Sequence, residues 1–204
     1  DYMPEANIAL FAHEQWTKSD SRCDDLYMVD DCPNHVRAKL YCLSKTPFDK
    51  TVYLDADTYV QHEDVSKMFD FDSDLVFTNI RPYAGKIAKF VGGEMVLHGG
   101  VFGYKSTPRV FQFMDDWWNY YNKQRTNEWW PEGVQPKSQL ISWDQLTLWW
   151  LTENTYSDLD ISIYEDDARW NFVYVYKEDE CKGPIVIWHY TLPLKKPADA
   201  RSLN

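Results

Sequence analysis

The chain has 204 residues, of which 44% are hydrophobic and 26% charged, the proportions of one globular domain large enough for a real core. Its formal charge of −11, with no basic run, argues against a nucleic-acid partner, which needs a positive footprint. No apolar run approaches membrane-spanning length and no signal peptide is visible. The 10 Trp, 14 Tyr and 10 Phe supply flat apolar surface, used for core packing by default and for stacking on bases or sugar rings where exposed.

Residues 4–17 read as a helix, with Pro4 in the first turn and Ile8, Phe11, Ala12 and Trp16 on one face. Asp25 to Val29 is a short strand, and Pro33 to Ser44 a second helix with Val36, Leu40 and Leu43 inward. A strand over 51–55 follows, then a short helix over 65–69 and a strand over 74–78. The stretch 80–95 has no clean period and reads as a loop. Val101 to Tyr104 is a strand, and 108–122 a helix with Val110, Met114, Trp117 and Tyr121 on one stripe. The polar segment 123–141, bearing Trp129 and Trp130, is longer than a routine connector, and loops of that size are commonly functional. A helix over 144–151, strands over 161–164 and 172–176, and a last apolar strand over 184–188 running into His189 complete the pattern. Strands alternating with helices give an α/β class with a mainly parallel central sheet flanked by helices.

The four cysteines, at 23, 32, 42 and 181, fit neither a zinc spacing nor a dense disulfide framework. Cys42 reads as a buried thiol. Cys23 and Cys32 flank a strand, where a bridge is open but unforced. This usage favours a reducing compartment, hence a cytoplasmic location, with a lumenal domain cut from a longer chain as the alternative.

The most informative stretch is Thr51-Val52-Tyr53-Leu54-Asp55-Ala56-Asp57. Four β-favouring residues run into two aspartates, and strand alternation points Asp55 and Asp57 to the same side. Ligands of open α/β sheets bind at the C-terminal strand ends. Two carboxylates there are costly to desolvate without a positive partner, and a divalent ion carrying a diphosphate is the natural candidate. The plainer alternative is an Asp-rich turn capping the next helix.

The order of motifs resembles the nucleotide-sugar glycosyltransferases of the GT-A fold, most closely the glycogenin-like family 8. Val36-Arg37-Ala38-Lys39-Leu40-Tyr41 followed by Thr51 to Thr58 is similar to that family's donor-lysine helix and metal-binding Asp-x-Asp strand. PEANIALFAHEQW looks like its first helix. His98-Gly99-Gly100-Val101-Phe102 is similar to its Asn-Ser-Gly-Val segment, with His98 and Gly99 standing where the family has Asn and Ser. Ser142-Trp143-Asp144-Gln145 resembles its Asp-Gln pair. Ile185 to Tyr190, with Lys195-Lys196-Pro197, is similar to its closing strand, although the glycine expected after the histidine is absent.

The resemblance implies a single Rossmann-like GT-A domain over 1–204 whose family opens on a strand before Asp1, so that the chain reads as lacking that strand and as a module of a longer polypeptide. It implies Asp55, Asp57 and His189 as ligands of Mn²⁺, with Mg²⁺ as the alternative. It assigns Lys39, assisted by Arg37, to the donor, Asp55 to metal or donor ribose, and Lys195 or Lys196 to the diphosphate. Tyr2 would stack on uracil, Gly99 and Gly100 would admit a backbone close to the sugar, and His98 would bond donor hydroxyls. Asp144, with Gln145, would face the anomeric carbon and either stabilise oxocarbenium character, the favoured role, or act as a nucleophile; the ordinary explanation of such an aspartate is a helix N-cap. The activity implied is hexosyl transfer from a UDP-sugar to a hydroxyl of a glycan or glycoconjugate, with retention of configuration. Trp129 and Trp130 are read either as an acceptor platform or as packing. The rivals are a phosphohydrolase of the haloacid dehalogenase type, whose motif normally stands nearer the chain start, and a non-catalytic carbohydrate-binding module.

Overall fold

The computed structural model describes residues 5–12, 25–29, 31–32, 35, 37–79, 97–138, 140–173 and 180–190. Strands β1 (Ala9–Ala12) and β2 (Asp25–Met28) pair in parallel, Ala9 opposite Asp25. A strand thus stands at 9–12 where the sequence pattern suggests a helix over 4–17. Ile8 to Ala12 is an unbroken apolar run, which fits a helical stripe and a strand equally well. Pairing with β2 decides it, and Phe11 stacks on Tyr27 with ring centres 5.2 Å apart.

Helix α1 (Lys39–Cys42) and the 3-10 turn Leu43–Lys45 are shorter than the helix expected over 33–44. Their entry is a tight turn in which Leu40 N–H donates to the Arg37 carbonyl at 3.1 Å and Tyr41 N–H to that of Ala38 at 3.0 Å. Leu40 and Leu43 are buried as the stripe requires, whereas Val36 lies outside the described residues. The Cys32 thiol donates to the Ala38 carbonyl, and burial pushes the half-buried Cys42 thiol up to about 12. Cys23 lies outside the described residues.

Beyond them come β3 (Lys50–Leu54), β4 (Thr58–Val60), a 3-10 helix (Glu63–Phe69), β5 (Leu75–Asn79) and β6 (Leu97–Lys105). Helices α2 (Pro108–Arg125) and α3 (Asp144–Trp150) follow, then β7 (Ile161–Ile163), α4 (Asp167–Trp170), β8 (Phe172–Val173) and β9 (Ile187–His189). The main sheet has the order β3-β6-β5-β7, and a smaller one the order β4-β9-β8.

The fold is α/β, and its strand pairing is mixed rather than mainly parallel. β6 runs antiparallel to both β3 and β5, and β9 antiparallel to β4, while β5–β7 and β8–β9 are parallel. Side chains explain the place of β6. Phe102 sits directly opposite both Tyr53 and Phe77, with ring centres 5.3 and 5.1 Å away, a cross-strand aromatic ladder of the kind that stabilises one register.

Alternation along the strands then sends Phe77, Phe102 and Tyr104 to one face, beneath the Val110, Met114, Trp117 and Tyr121 stripe of α2. Val76 and Val101 face the other way, onto Met68, Trp170 and Val186. Both faces of the sheet are therefore covered. Helix α2 begins where Thr107 Oγ1 accepts from Val110 N–H at 3.2 Å, and its chain turns away at Asn127, whose φ of 62° is left-handed. Both indoles of the long connector are used in packing. Trp129 meets Tyr120 and Trp150 edge-on at 4.8 and 5.0 Å, and Trp130 packs on the Val134, Leu140 and Leu146 cluster. Among the described residues no helix is long and apolar enough to cross a membrane.

Candidate active site

The two aspartates lie just past the end of β3, in a turn rather than along the strand. Thr58 N–H and Thr58 Oγ1 both donate to the Asp55 carbonyl, at 3.0 and 2.7 Å, closing a turn over 55–58. Asp55 N–H donates to the Gly100 carbonyl at 2.8 Å, and Tyr190 N–H to the Asp57 carbonyl at 2.7 Å. The turn is thus stitched to β6 on one side and to the closing strand on the other. It is this turn, and not strand alternation, that brings the two carboxylates to one place.

His189, at the end of β9 and 4% exposed, completes the group. One ligand atom from each of Asp55, Asp57 and His189 falls within 4.8 Å of the others. His189 Nε2 is 3.2 Å from Asp57 Oδ1 and 3.9 Å from Asp55 Oδ2. Adjacent ligands on metal–oxygen bonds of about 2.1 Å stand about 3.0 Å apart, so this spacing fits a small divalent ion with little adjustment. The donor set, two carboxylate oxygens and an imidazole nitrogen converging on one point, is the chemistry such an ion requires. Burial raises the Asp57 carboxyl, but when the His189 ring carries both hydrogens its hydrogen bond and charge outweigh that and hold the group below the usual carboxylate range.

Asp55 is held from behind. Its Oδ1 accepts from Lys39 Nζ at 2.7 Å and from Tyr53 OH at 2.8 Å, leaving Oδ2 toward His189. Burial, then the Asp55 charge, pushes the Tyr53 hydroxyl far above its ordinary value, so it stays a proton donor. Lys39 Nζ also donates to the Gly99 carbonyl at 2.8 Å. Gly100 makes this closeness feasible. A Cβ there would lie 2.6 Å from Asp55 Oδ2 and 2.7 Å from a carbon of each of His189 and His98. At Gly99 it would meet the Trp117 indole at 2.9 Å. The space spared at both glycines is thus taken by protein side chains.

Asp144 forms the opposite wall. It is 2% exposed, with Oδ1 3.3 Å from Arg37 Nε and Oδ2 3.8 Å from Lys39 Nζ. It is not the cap of α3: Trp143 holds that position, and Asp144 occupies the first turn. Trp117 Nε1–H donates to the Asp144 carbonyl at 2.9 Å, and Gln124 Nε2 donates to the carbonyls of Leu140 and Trp143 at 2.7 and 3.0 Å. The core helix α2 therefore sets the height of this wall. Arg37 Nε and Gln145 Oε1 are buried without a hydrogen-bond partner among the described residues, as is Tyr121 OH.

His98 stands between corner and wall. Its ring is perpendicular to that of His189 at 5.3 Å, and its Nδ1 accepts from Gly100 N–H at 3.0 Å. Burial, followed by the charges of His189, Lys39 and Arg37, drives its pKa well below 6.5, so the ring is neutral and its hydrogen sits on Nε2.

The structure thus gathers Arg37, Lys39, Asp55, Asp57, His98, Gly99, Gly100, Asp144 and His189 into one linked cluster. Tyr2, Lys195 and Lys196 lie outside the described residues. Sequence reasoning missed Tyr53, whose signal was available: two positions before Asp55 on a strand is the same face. It also missed Asn171, which bonds His189, and Thr78, which bonds Asn171; both come from distant segments and carry no local signature.

No family model matches the chain and no curated protein matches it. Solved structures do. The galactosyltransferase LgtC, determined in complex with donor and acceptor sugar analogs, superposes with a TM-score of 0.54 at 15% identity, covering 95% of this chain and 80% of LgtC. The glycosyltransferase GlyE of Streptococcus pneumoniae TIGR4 gives 0.50 at 18% identity, covering 81% of this chain but 40% of GlyE. At such identities the likeness is one of fold, and it agrees with the order of motifs: the chain has the GT-A fold of these glycosyltransferases.

Proposed function

We propose that this protein is a glycosyltransferase that moves a hexosyl group from a UDP-sugar to a hydroxyl of a glycan or glycoconjugate, using a divalent cation, with retention of anomeric configuration. One observation carries the reading. The Asp55, Asp57 and His189 corner and the ion-paired Asp144 wall are held together by a single ammonium, Lys39, which contacts Asp55 at 2.7 Å and Asp144 at 3.8 Å.

Asp55, Asp57 and His189 would hold the cation. An imidazole beside two carboxylates favours Mn²⁺ over Mg²⁺. When bound, such a cation would neutralise charge on a diphosphate leaving group, as in other phosphate chemistry. Lys195 or Lys196 adds a second positive charge to that leaving group, as cationic clamps do. Beyond Lys39, Asp144 faces the anomeric carbon. Arg37 and Lys39 neutralise its carboxylate and blunt it as a nucleophile, so its part is electrostatic support of positive charge developing on the sugar. Neutral His98 offers its Nε2–H, and Gln145 its Oε1, unpartnered among the described residues, to donor hydroxyls.

The test is thermal stability with UDP, with Mn²⁺, and with both, followed by a panel of UDP-sugars. A ligand that binds the native state raises the melting temperature by mass action. The reading expects a shift that requires both UDP and Mn²⁺. No shift under any condition overturns it, and glycan binding indifferent to EDTA and UDP replaces it with a binding module.

A further inference from the structure

The back of His189 is built as carefully as its front. Its Nδ1 lies 2.8 Å from Asn171 Oδ1, Asn171 Nδ2 lies 2.8 Å from Thr78 Oγ1, and Thr78 Oγ1 lies 3.0 Å from the Val101 carbonyl. All three side chains are buried, Thr78 at 0%, Asn171 at 2% and His189 at 4% exposure, so no bulk water substitutes for a missing partner. Directions along the chain follow from what each group can donate. A carbonyl only accepts, so the one hydroxyl hydrogen of Thr78 is spent on Val101. Thr78 Oγ1 then only accepts, which turns the Asn171 NH₂ toward it and the Asn171 carbonyl toward His189. The nitrogen facing that carbonyl must carry the hydrogen.

We propose that Asn171, oriented by Thr78, is a positioning residue that holds His189 in the Nδ1–H tautomer, so that the bare Nε2 is presented to the Asp55 and Asp57 carboxylates as a cation ligand. The ligation half of this proposal rests on the metal reading above; the tautomer half does not. The opposite arrangement reverses every bond. Thr78 would donate to Asn171, Asn171 NH₂ to Nδ1, and Nε2–H would point at Asp57 Oδ1, 3.2 Å away, where it would oppose a cation. The two arrangements differ in the location of one hydrogen, which is measurable. A ring nitrogen's role is set by the bond its partner nitrogen makes, and loss of such supporting partners at metal-bound histidines weakens binding roughly 10–100-fold.

The experiment uses the full chain in two measurements. Long-range ¹H–¹⁵N correlation spectra, at a pH where the ring is neutral and with His189→Gln to assign its peaks, report the tautomer directly. Electron paramagnetic resonance of free Mn²⁺ gives the dissociation constant. The proposal expects the Nδ1–H pattern in the wild type, its loss in Asn171→Leu with Mn²⁺ binding weakened roughly 10–100-fold, and near-normal values in Asn171→Asp, which keeps the acceptor. Thr78→Val, which leaves Asn171 in place, should mix the two tautomers and weaken Mn²⁺ binding by less; it also serves if Asn171→Leu does not fold. An Nε2–H pattern in the wild type, or wild-type Mn²⁺ affinity in a folded Asn171→Leu, overturns the proposal and leaves the metal site standing. Absence of Mn²⁺ binding by the wild type overturns the cation reading and, with it, the ligation half, whatever the tautomer.

Discussion

The two halves of this cluster are built on opposite plans. On the acidic corner the supporting atoms are already bonded: Asp55 Oδ1 to Lys39 and Tyr53, His189 Nδ1 to Asn171. On the wall, Asp144 is met by longer ion-pair contacts of 3.3 and 3.8 Å, and Arg37 Nε and Gln145 Oε1 are buried without hydrogen-bond partners among the described residues. Buried polar groups left unpaired cost about 1–3 kcal/mol each, and a fold tolerates them where a ligand will supply the partner. The comparison teaches that the corner is the more fully bonded of the two, and that the wall is held mainly by longer ion-pair contacts.

The sharpest way to break this comparison is to delete a ligand from the corner. Asp57→Ala is expected to lower UDP-sugar turnover by about 10³-fold, the upper end of what losing one preorganised electrostatic group costs, and to abolish the dependence on Mn²⁺. Its melting temperature without ligands should barely move, because Asp57 is partly exposed. Unchanged turnover would remove the corner from the chemistry.

On the wall, Asp144→Asn keeps the shape and removes the charge. It should lower kcat by about 10²-fold with little change in KM, the signature of an interaction made mainly in the transition state. A rise in KM with kcat preserved would turn the wall into a binding surface only. Between the two sides stands Gly100. Gly100→Ala forces a Cβ within 2.7 Å of Asp55, His98 and His189 together, so urea unfolding should show a loss of about 1–3 kcal/mol, the usual cost of overpacking. Mn²⁺ affinity should fall as well. A fully stable Gly100→Ala protein would mean that the corner is looser than its distances imply.

Much of the corner was legible because its signal is local. A β-rich run ending in Asp-x-Asp, and an apolar run ending in His189, each announce a strand terminus without reference to the rest of the chain. The wall was legible in Asp144 and Gln145 but not in its support, since Gln124 and Trp117 look like ordinary members of a core stripe until their bonds to Leu140, Trp143 and Asp144 are seen. Two errors have physical sources. The Ile8 to Ala12 run has too few polar residues to betray its period, so a strand passed for part of a helix. The strand read over Val101 to Tyr104 is too short: His98, Gly99 and Gly100 also lie inside β6, where the missing side chains leave space for Trp117, Asp55 and His189. Such long-range closeness has no local pattern.

The smallest effect concerns how the corner is tied down from outside. Arg169 donates from Nε to the Pro184 carbonyl at 2.9 Å, and its own carbonyl accepts from Val186 N–H at 2.8 Å, so it anchors the approach to β9 and His189. Asp64 holds Arg169 at 2.5 Å and Lys67 at 2.7 Å, and hydrogen bonds from these two cations, Lys67 first, keep the Asp64 carboxyl below its ordinary 3.8. The sign follows from proton counts. Between the folded value and 3.8 the unfolded chain binds more protons than the native one, so the contribution is complete above 3.8 and is lost as pH falls through the folded value. The stability difference between wild type and Asp64→Asn should therefore be constant near neutrality and shrink on acidification below about pH 4. Urea denaturation at stepped pH measures it. A difference that persists unchanged into strong acid would mean that Asp64 holds Arg169 by shape alone, and the corner's outer tie would not be electrostatic.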